Sequence, residues 1–321
     1  MVLDPELMAL LGGPSTSDLD DIAGSRERAA AITTEAIAAR RTPPGVTWRD
    51  TTIRSGDGYA LGIRVYSSSD RSTPGGALLF VHGGAFVFGD LELEHDRCTF
   101  YAAHADVTVV SVDYRLAPEF PYPAAHEDVW AALAWLIDSA AELGVDAGRI
   151  CLGGASAGGS LAAGVALRCR DGSGPSLASL MLIYPALDDR GATSSMSRYE
   201  EYDPWDARRS RQMWPLYLGR DGAAPTYAAP ARAEDVDRLP PTFVMSCEED
   251  PLRDEDLAFA LRLLDAGVSV ELHHYRATYH AFDVIGPETS IGRRALADQA
   301  DFLRRTVGGR DPETLAVAGR D

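Results

Sequence analysis

The sequence has little positive charge and no long apolar run. Thirty Lys and Arg residues stand against 48 Asp and Glu residues in a chain of 321, which gives a net charge of −18. Nucleic-acid binding depends on cationic side chains that displace counterions from phosphates, so this balance argues against such a partner. The longest apolar runs, such as 77–81, are strand-length and far below the roughly 20 residues of a membrane-spanning helix. We therefore expect neither nucleic acid nor a membrane as a partner.

Cysteine is also scarce, and the four residues are widely spaced: Cys98, Cys151, Cys169 and Cys247. No C-x-x-C pair occurs, which argues against a structural zinc site or a disulfide framework. The first 25 residues lack the basic segment and apolar stretch of a secretory signal. We expect no bound metal, a cytoplasmic location, and buried thiols at Cys151 and Cys247, which lie in apolar, strand-like runs.

Length and composition suit an extensive globular core. With 45% apolar and 24% charged residues, the chain can bury a large interior and does not have the composition of a disordered protein. Length alone suggests about two domains, and one large α/β domain with an insertion fits equally well.

Short runs rich in Val, Ile, Leu and Tyr predict strands. These runs are 59–66, 77–82, 107–114, 149–152, 180–184, 242–246 and 270–275. Helical patterns follow four of them, at 128–143, 160–170, 254–266 and 293–306. Several of the strand runs are uninterrupted, as expected where helices cover both faces of a parallel sheet. This order of elements predicts a doubly wound, mostly parallel α/β sheet.

Three segments fall outside this alternation. Residues 1–45 are polar and Ala-rich, with a helical pattern over 26–41 that ends before two prolines. Residues 188–227 are polar and aromatic without a convincing strand, and they form either a lid or a surface excursion with a few packed aromatics. Residues 308–321 are Gly-rich and charged, and we expect a mobile tail there.

Gly154-Ala155-Ser156-Ala157-Gly158 is the only G-x-S-x-G in the chain. A strand pattern precedes it and a helix pattern follows it, which is the context of a nucleophile elbow. Such a turn strains the backbone of the serine and brings neighbouring chain close, so it needs small residues around it. The pattern favours Ser156 as a nucleophile over an incidental serine in a Gly-rich loop.

A serine hydroxyl is a weak nucleophile, so it needs a base within hydrogen-bond reach and an acid that orients the base. With this elbow the expected chain order is Ser, then Asp or Glu, then His. Asp250 follows a predicted strand at a turn, and Glu249 is its nearest competitor. His280 lies in the loop after the last predicted strand, whereas most of the other six histidines lie in predicted helices or strands. We choose Asp250 as the acid and His280 as the base.

The tetrahedral intermediate of acyl transfer needs hydrogen-bond donors aimed at its negative charge. His82-Gly83-Gly84-Ala85 follows a predicted strand, and its glycines allow backbone N–H groups to face a substrate. We take the N–H groups of Gly83 and Gly84, with that of Ala157 after the nucleophile, as the oxyanion donors. His82 is then an anchor of this loop rather than a second base.

Together these motifs resemble the hormone-sensitive-lipase-like family of α/β-hydrolases, also called bacterial family IV esterases, from about residue 45 to 306. The matching segments are HGGAFVFG at 82–89, DYRLAPE at 113–119 with its continuation to 128, GASAGG at 154–159, DPLRD at 250–254 and HAF at 280–282.

The resemblance implies an α/β-hydrolase fold in which Ser156, Asp250 and His280 form the catalytic triad, with no cofactor. It implies a catalytic domain from 46–187 and 228–307, covered by a helical cap made of 1–45 and 188–227. It also suggests a homodimer.

Two positions depart from the pattern of this family. Ala155 stands where the family usually has Asp, and Ala85 stands where it usually has a third Gly. Neither change removes a nucleophile, a base or a backbone N–H, so we expect catalysis with an altered pocket shape and substrate preference.

The predicted activity is hydrolysis of small, uncharged, short- to medium-chain carboxylic esters through an acyl-enzyme. Candidate pocket walls are Phe86, Phe88, Trp214 and Tyr217, of which at least one is expected in the core. An amidase or deacetylase acting on a specialised metabolite would use the same triad. A non-catalytic small-molecule receptor is disfavoured because the nucleophile and base are both present, and a lyase that uses the oxyanion hole without acylation is a further alternative.

Overall fold

The computed structural model describes residues 3–12, 16–40, 42–220 and 222–308. Within these ranges an eight-stranded sheet has the order β1-β2-β4-β3-β5-β6-β7-β8. The strands are β1 (Val46–Arg54), β2 (Ala60–Ser68), β3 (Gly75–Val81), β4 (Val107–Asp113), β5 (Val145–Ala155), β6 (Ser179–Ile183), β7 (Thr242–Glu249) and β8 (Val270–Tyr279).

In this order the strands from β4 to β8 are all parallel, and β2 pairs antiparallel with both of its neighbours, β1 and β4, at one edge. Every residue of β3 and of β6 is buried. Both faces of these central strands are therefore covered, which explains their continuous apolar sequence. The doubly wound α/β prediction is confirmed.

Helices cover the sheet and occupy the loops at its carboxyl edge. They are α1 (Pro5–Met8), α2 (Ile22–Ala39), α3 (His95–His104), α4 (Ala124–Asp138), α5 (Ala157–Arg168), α6 (Ser194–Arg198), α7 (Ala207–Leu218), α8 (Arg253–Asp265), α9 (Phe282–Ile285) and α10 (Ser290–Thr306). Several begin at side chains that accept a hydrogen bond from the first turn, such as Asp21 for α2, Asp206 for α7 and Thr289 for α10.

All seven predicted strands are present, and the sequence missed one. The missed strand is β1, in which only Val46 and Ile53 are buried and the other seven positions are polar or exposed. A strand with so few apolar residues at the edge of a sheet carries no clear alternation. Its position is set by pairing with β2 along its whole length.

The two segments predicted to form the cap contain helices. α2 lies in the first segment, and α6 and α7 lie in the second. The start of the predicted tail, residue 308, is described, but residues 309–321 lie outside the described part of the chain. The division of the chain into catalytic domain and cap stays a prediction.

The four cysteines are unpaired and buried, as predicted for two of them. In the part of the chain that the structure describes, none of the helices combines the length and the apolar character needed to cross a membrane.

Candidate active site

Ser156 lies at a sharp turn between β5 and α5. Its backbone has φ of 55° and ψ of −119°, a strained conformation for a residue with a side chain. The turn is closely packed: a Cβ atom on Gly154 would lie 2.3 Å from the carbonyl oxygen of Gly158, and one on Gly158 would lie 2.1 Å from that of Val81. The small residues of the motif are therefore required by contacts with neighbouring backbone.

Ser156, His280 and Asp250 form a continuous hydrogen-bonded chain. The Oγ atom of Ser156 lies 2.9 Å from Nε2 of His280, and Nδ1 of His280 lies 2.7 Å from Oδ2 of Asp250. The other carboxylate oxygen of Asp250 accepts a hydrogen bond from the N–H of Leu252 at 2.9 Å. Asp250 is fully buried, and His280 and Ser156 are 6% and 9% exposed. The three residues come from loops at the carboxyl ends of β5, β7 and β8, which lie at the same edge of the sheet.

Other side chains near Asp250 and His280 have different partners. Glu249, the competing acid, accepts a hydrogen bond at 2.7 Å from the hydroxyl of Tyr199. The imidazole of His280 packs against the edge of the Tyr184 ring, with centroids 4.8 Å apart, and lies 6.1 Å from the ring of Trp205. These aromatic rings restrict the orientation of the base.

The loop after β3 lies beside the nucleophile. Gly83 and Gly84 line the same cavity as Ser156. Gly84 has φ of 107°, and a Cβ atom there would lie 2.2 Å from the carbonyl oxygen of Phe88. Ala157 is the first residue of α5, so its N–H has no acceptor within the helix. The structure thus brings the three predicted donor residues close to Ser156.

Glu94 lines the same cavity as Gly83 and Gly84. Burial raises the pKa of the Glu94 carboxyl, and the positive charge of Arg97 and the backbone N–H of Gly83 counteract this rise. Glu94 therefore places a buried carboxyl group in the cavity wall near the oxyanion loop.

His82 has the environment of a structural residue. It is fully buried, its Nδ1 lies 2.7 Å from the carbonyl oxygen of Gly83, and its ring stacks on Tyr114 with centroids 4.1 Å apart. Burial lowers the pKa of His82 to about 4, so the ring is neutral at physiological pH. It anchors the start of the loop, as the sequence predicted.

A cavity of about 430 Å³ opens onto Ser156 and His280. Its walls include Ala29, Ala30 and Thr33 from α2. Further apolar residues of the wall are Pro204, Trp205, Leu93, Leu116, Val284 and Ile285. Both predicted cap segments therefore contribute residues to the cavity.

The structure corrects three of the four predicted wall residues. Phe88 lines the cavity, but Phe86, Trp214 and Tyr217 do not. Phe86 stacks on Tyr217 with centroids 3.8 Å apart and contacts Trp214 at 5.5 Å, and all three belong to the hydrophobic core. The sequence identified these residues as aromatic, but it did not indicate which side of a loop or helix each would occupy.

The cavity wall also includes Tyr184, Glu94 and Ile285, which no motif in the sequence identified. Tyr184 could have been found, because it ends a predicted strand at the carboxyl edge of the sheet, where ligand-contacting residues concentrate. Glu94 and Ile285 lie outside the recognised motifs, and no comparable signal marks them.

A strand–serine–helix turn, a hydrogen-bonded Ser–His–Asp chain and an adjoining glycine loop define a serine hydrolase site on an α/β sheet. A family model described as alpha/beta hydrolase fold matches residues 78–284, and the chain belongs to this family. Within it, the resemblance to the hormone-sensitive-lipase-like esterases is confirmed.

Several known proteins are similar over most of the chain. Esterase LipI of Mycobacterium tuberculosis is 38% identical over 226 residues, which are 69% of this chain and 71% of that protein. The crystal structure of esterase LipW from Mycobacterium marinum superposes with a TM-score of 0.89 at 37% identity, covering 95% of this chain and 96% of that one. A structure titled bacterial heroin esterase gives a TM-score of 0.90 at 38% identity, covering 96% and 99%.

Proposed function

We propose that this protein is a serine carboxylesterase that hydrolyses short- to medium-chain, uncharged carboxylic esters through an acyl-enzyme. The hydrogen-bonded chain Ser156–His280–Asp250, opening into an apolar cavity, is the observation that carries the proposal. The names of its relatives support it, since LipI and LipW are esterases and the 40% identical NlhH of Mycobacterium tuberculosis is a carboxylesterase.

In the proposed mechanism, His280 accepts the proton of the Ser156 hydroxyl as Oγ attacks the acyl carbonyl. Asp250 keeps Nδ1 of His280 protonated and stabilises the imidazolium that forms. The backbone N–H groups of Gly83, Gly84 and Ala157 stabilise the oxyanion. His280 then protonates the leaving alcohol, and water hydrolyses the acyl-enzyme by the same steps.

The cavity supports a small, neutral substrate. Its volume of about 430 Å³ lies in the lower part of the usual range for small-molecule sites. The positively charged residue in its wall is Arg26. The Arg26 guanidinium already donates hydrogen bonds to the carbonyl oxygen of Val87 at 2.9 Å and to the carboxylate of Glu119 at 2.7 Å. A carboxylate group on the substrate would therefore find no free cation in the described wall.

The proposal is tested by labelling and turnover together. The protein is exposed to a fluorophosphonate and its intact mass is measured, while hydrolysis of p-nitrophenyl acetate, butyrate and octanoate is followed. Ser156→Ala removes the nucleophile, and Ser197→Ala, on the exposed surface of α6, is the matched control.

We expect one adduct and ester turnover in the wild type and in Ser197→Ala, and neither in Ser156→Ala. Amide turnover that exceeds ester turnover would favour the amidase alternative. Absence of both adduct and turnover in the wild type would contradict the esterase proposal.

A cytoplasmic location and a homodimer are parts of this proposal. Four unpaired cysteines suit a reducing compartment. The dimer is tested by light scattering of the purified protein, where a monomeric mass would contradict it.

A further inference from the structure

The helix α2 contributes one face to the wall of the substrate cavity. Four of its residues line the cavity: Arg26, Ala29, Ala30 and Thr33. Their spacing places them on the same side of a helix. Apolar burial holds α2 only in part, because Ile22 packs against the core whereas Ile32 and Ile37 are each 47% exposed. Polar contacts therefore have a large share in fixing where the cavity face of α2 lies.

The Arg26 side chain joins this face to two loops beside the active site. Its Nε and Nη2 atoms donate to the carbonyl oxygen of Val87 at 3.1 Å and 2.9 Å, and Nη2 also donates to that of Ala117 at 2.9 Å. Nη1 and Nη2 donate to the two carboxylate oxygens of Glu119 at 2.7 Å and 3.0 Å. One guanidinium on α2 thus binds three residues of two different loops.

These acceptors differ in what they contribute. The side chains of Arg26 and Glu119 are 31% and 53% exposed, and an ion pair this accessible to water adds little stability. Val87 and Ala117 are buried, and a buried carbonyl oxygen that loses its donor is left with an unfavourable desolvation cost. The two carbonyl oxygens, more than the ion pair, therefore define the position of Arg26.

The Val87 carbonyl belongs to a turn that begins at Gly84. The N–H groups of Val87 and Phe88 donate to the carbonyl oxygen of Gly84 at 3.0 Å and 2.7 Å. The N–H of Ala117 donates to the carbonyl oxygen of Phe86 at 2.9 Å, which bonds the second loop to the same turn. Because the N–H of Gly84 is one of the proposed oxyanion donors, a contact that holds this turn also bears on the oxyanion site.

We propose that Arg26 is a positioning residue that fixes the cavity face of α2 against the turn of Gly84, and thereby sets both the width of the substrate cavity and the place of an oxyanion donor. Removing a single oxyanion donor costs about 10²–10³ in kcat in a well-studied protease, so displacement of the turn has a measurable effect. Displacement of α2 away from the turn enlarges the cavity, which favours longer acyl chains. This inference rests on the esterase function proposed above.

Two substitutions test the role of Arg26. Arg26→Ala removes the guanidinium and leaves space that a free guanidinium ion can occupy. Arg26→Lys keeps the charge but lacks the planar fork that reaches several acceptors at once. The matched control is Arg28→Ala on the same helix, because Arg28 donates to Asp21 at 3.1 Å and to Ser25 at 2.9 Å and does not line the cavity.

The measurements are kcat and KM for p-nitrophenyl acetate, butyrate and octanoate, together with the midpoint of thermal unfolding. The kinetics are repeated in a low, non-denaturing concentration of guanidinium chloride, and sodium chloride at the same ionic strength is the salt control. Rescue by the free ion reports on the contacts of Arg26 itself, since general loosening of the fold would not be reversed by it.

We expect Arg26→Ala to lower kcat for butyrate by roughly tenfold to a hundredfold, and to raise the ratio of kcat/KM for octanoate over acetate by at least about threefold. Guanidinium chloride, but not sodium chloride, should restore part of the lost kcat. Arg26→Lys should show the same changes to a smaller extent. Arg28→Ala should keep kcat and the chain-length ratio within about twofold of the wild type and should not respond to guanidinium.

Each other result decides against the proposal. Folded Arg26 variants with kcat and chain-length ratios within about twofold of the wild type would overturn it. A loss of kcat that neither guanidinium nor Arg26→Lys restores in part would do the same, as would failure of both variants to fold, since Arg26 would then have a purely structural role. A wild type without esterase turnover or fluorophosphonate labelling would overturn the proposed function itself and this inference with it. An active wild type matched by its variants would overturn only the positioning role.

Discussion

Asp250 and Glu249 are adjacent in the chain, yet their carboxylates bind different partners. Asp250 lies 2.7 Å from Nδ1 of His280, and Glu249 lies 2.7 Å from the hydroxyl of Tyr199. Glu249 is the last residue of β7, whereas Asp250 begins the turn that leads to α8. Because β7 ends between them, only Asp250 is directed at the base.

We expect Asp250→Asn to lower kcat for ester hydrolysis by about 10⁴, because an amide N–H facing Nδ1 favours the wrong tautomer of His280. Glu249→Gln, which changes the neighbouring carboxylate in the same way, should stay within about tenfold of the wild type. Steady-state kinetics with p-nitrophenyl butyrate measures both. Equal losses in the two variants would contradict the assignment of Asp250 as the acid.

Gly158→Ala should destabilise the nucleophile elbow. The new Cβ atom would lie 2.1 Å from the carbonyl oxygen of Val81 and 2.4 Å from that of His82, so backbone must move to accommodate it. We expect a loss of more than about 3 kcal/mol in the free energy of unfolding, measured by urea denaturation. Gly56→Ala is the control, because a Cβ atom there meets no heavy atom within 4 Å. Similar stability of the two variants would show that the elbow is less tightly packed than the structure indicates.

Acid should destabilise the protein through three buried histidines. Burial lowers the pKa of His82, His95 and His126 to about 4, and Nε2 of each has no hydrogen-bond partner in the described chain. The unfolded chain binds protons at these residues below about pH 6.5, while the native protein does not do so until about pH 4. The free energy of unfolding therefore decreases as pH falls from about 6.5 to 4. The fully buried His82 accounts for roughly 3 kcal/mol of this decrease.

Urea denaturation at pH 7, 6, 5 and 4.5 measures this dependence. In His126→Gln the free energy of unfolding should depend less steeply on pH. The same substitution at the exposed His104 should leave this pH dependence unchanged. A free energy of unfolding that stays constant or increases toward pH 4.5 would refute the explanation.

Asp256 should destabilise the protein at neutral and alkaline pH. It is fully buried, and neither carboxylate oxygen has a hydrogen-bond partner among the described residues. Burial raises the pKa of Asp256 well above its ordinary value, and the charges of Asp250 and Glu255 add to this rise. The unfolded chain releases the proton above about pH 4, whereas the native protein keeps it, so stability decreases as pH rises from there toward the native pKa.

Asp256→Ala should therefore increase the free energy of unfolding at pH 8 by about 1–3 kcal/mol, with a smaller gain at pH 5. Asp265→Ala, at the exposed end of the same helix, is the control and should have little effect at either pH. Urea denaturation of both variants at pH 5 and pH 8 measures these changes. A loss of stability in Asp256→Ala at pH 8 would contradict the prediction.

Phe88 and Phe86 should respond differently to truncation. Phe88 lines the cavity, so Phe88→Ala should raise the ratio of kcat/KM for octanoate over butyrate by at least about threefold, because it enlarges the substrate site. Phe86 is fully buried against Tyr217, so Phe86→Ala should cost about 3–5 kcal/mol of stability and leave this ratio unchanged. The reverse pattern would place Phe86 in the substrate site.

The sequence by itself determined seven of the eight strands of the sheet and the three residues of the Ser–His–Asp chain. The central strands are recognisable because they are apolar on both faces, and the elbow is recognisable because its small residues are contiguous and required by local backbone contacts. Asp250 and His280 could be placed because each follows a strand, and the carboxyl ends of parallel strands meet at one edge of a sheet.

Only the tertiary structure decided which side chains surround that centre. Phe86 and Phe88 are two residues apart and both belong to the hydrophobic core, but only Phe88 also lines the cavity. Arg97 and Asp283 are separated by 186 positions, and their pairing depends on α3 and α9 being brought together on the assembled sheet. Contacts of this kind arise from packing between distant elements, which local patterns of apolar and polar residues do not encode.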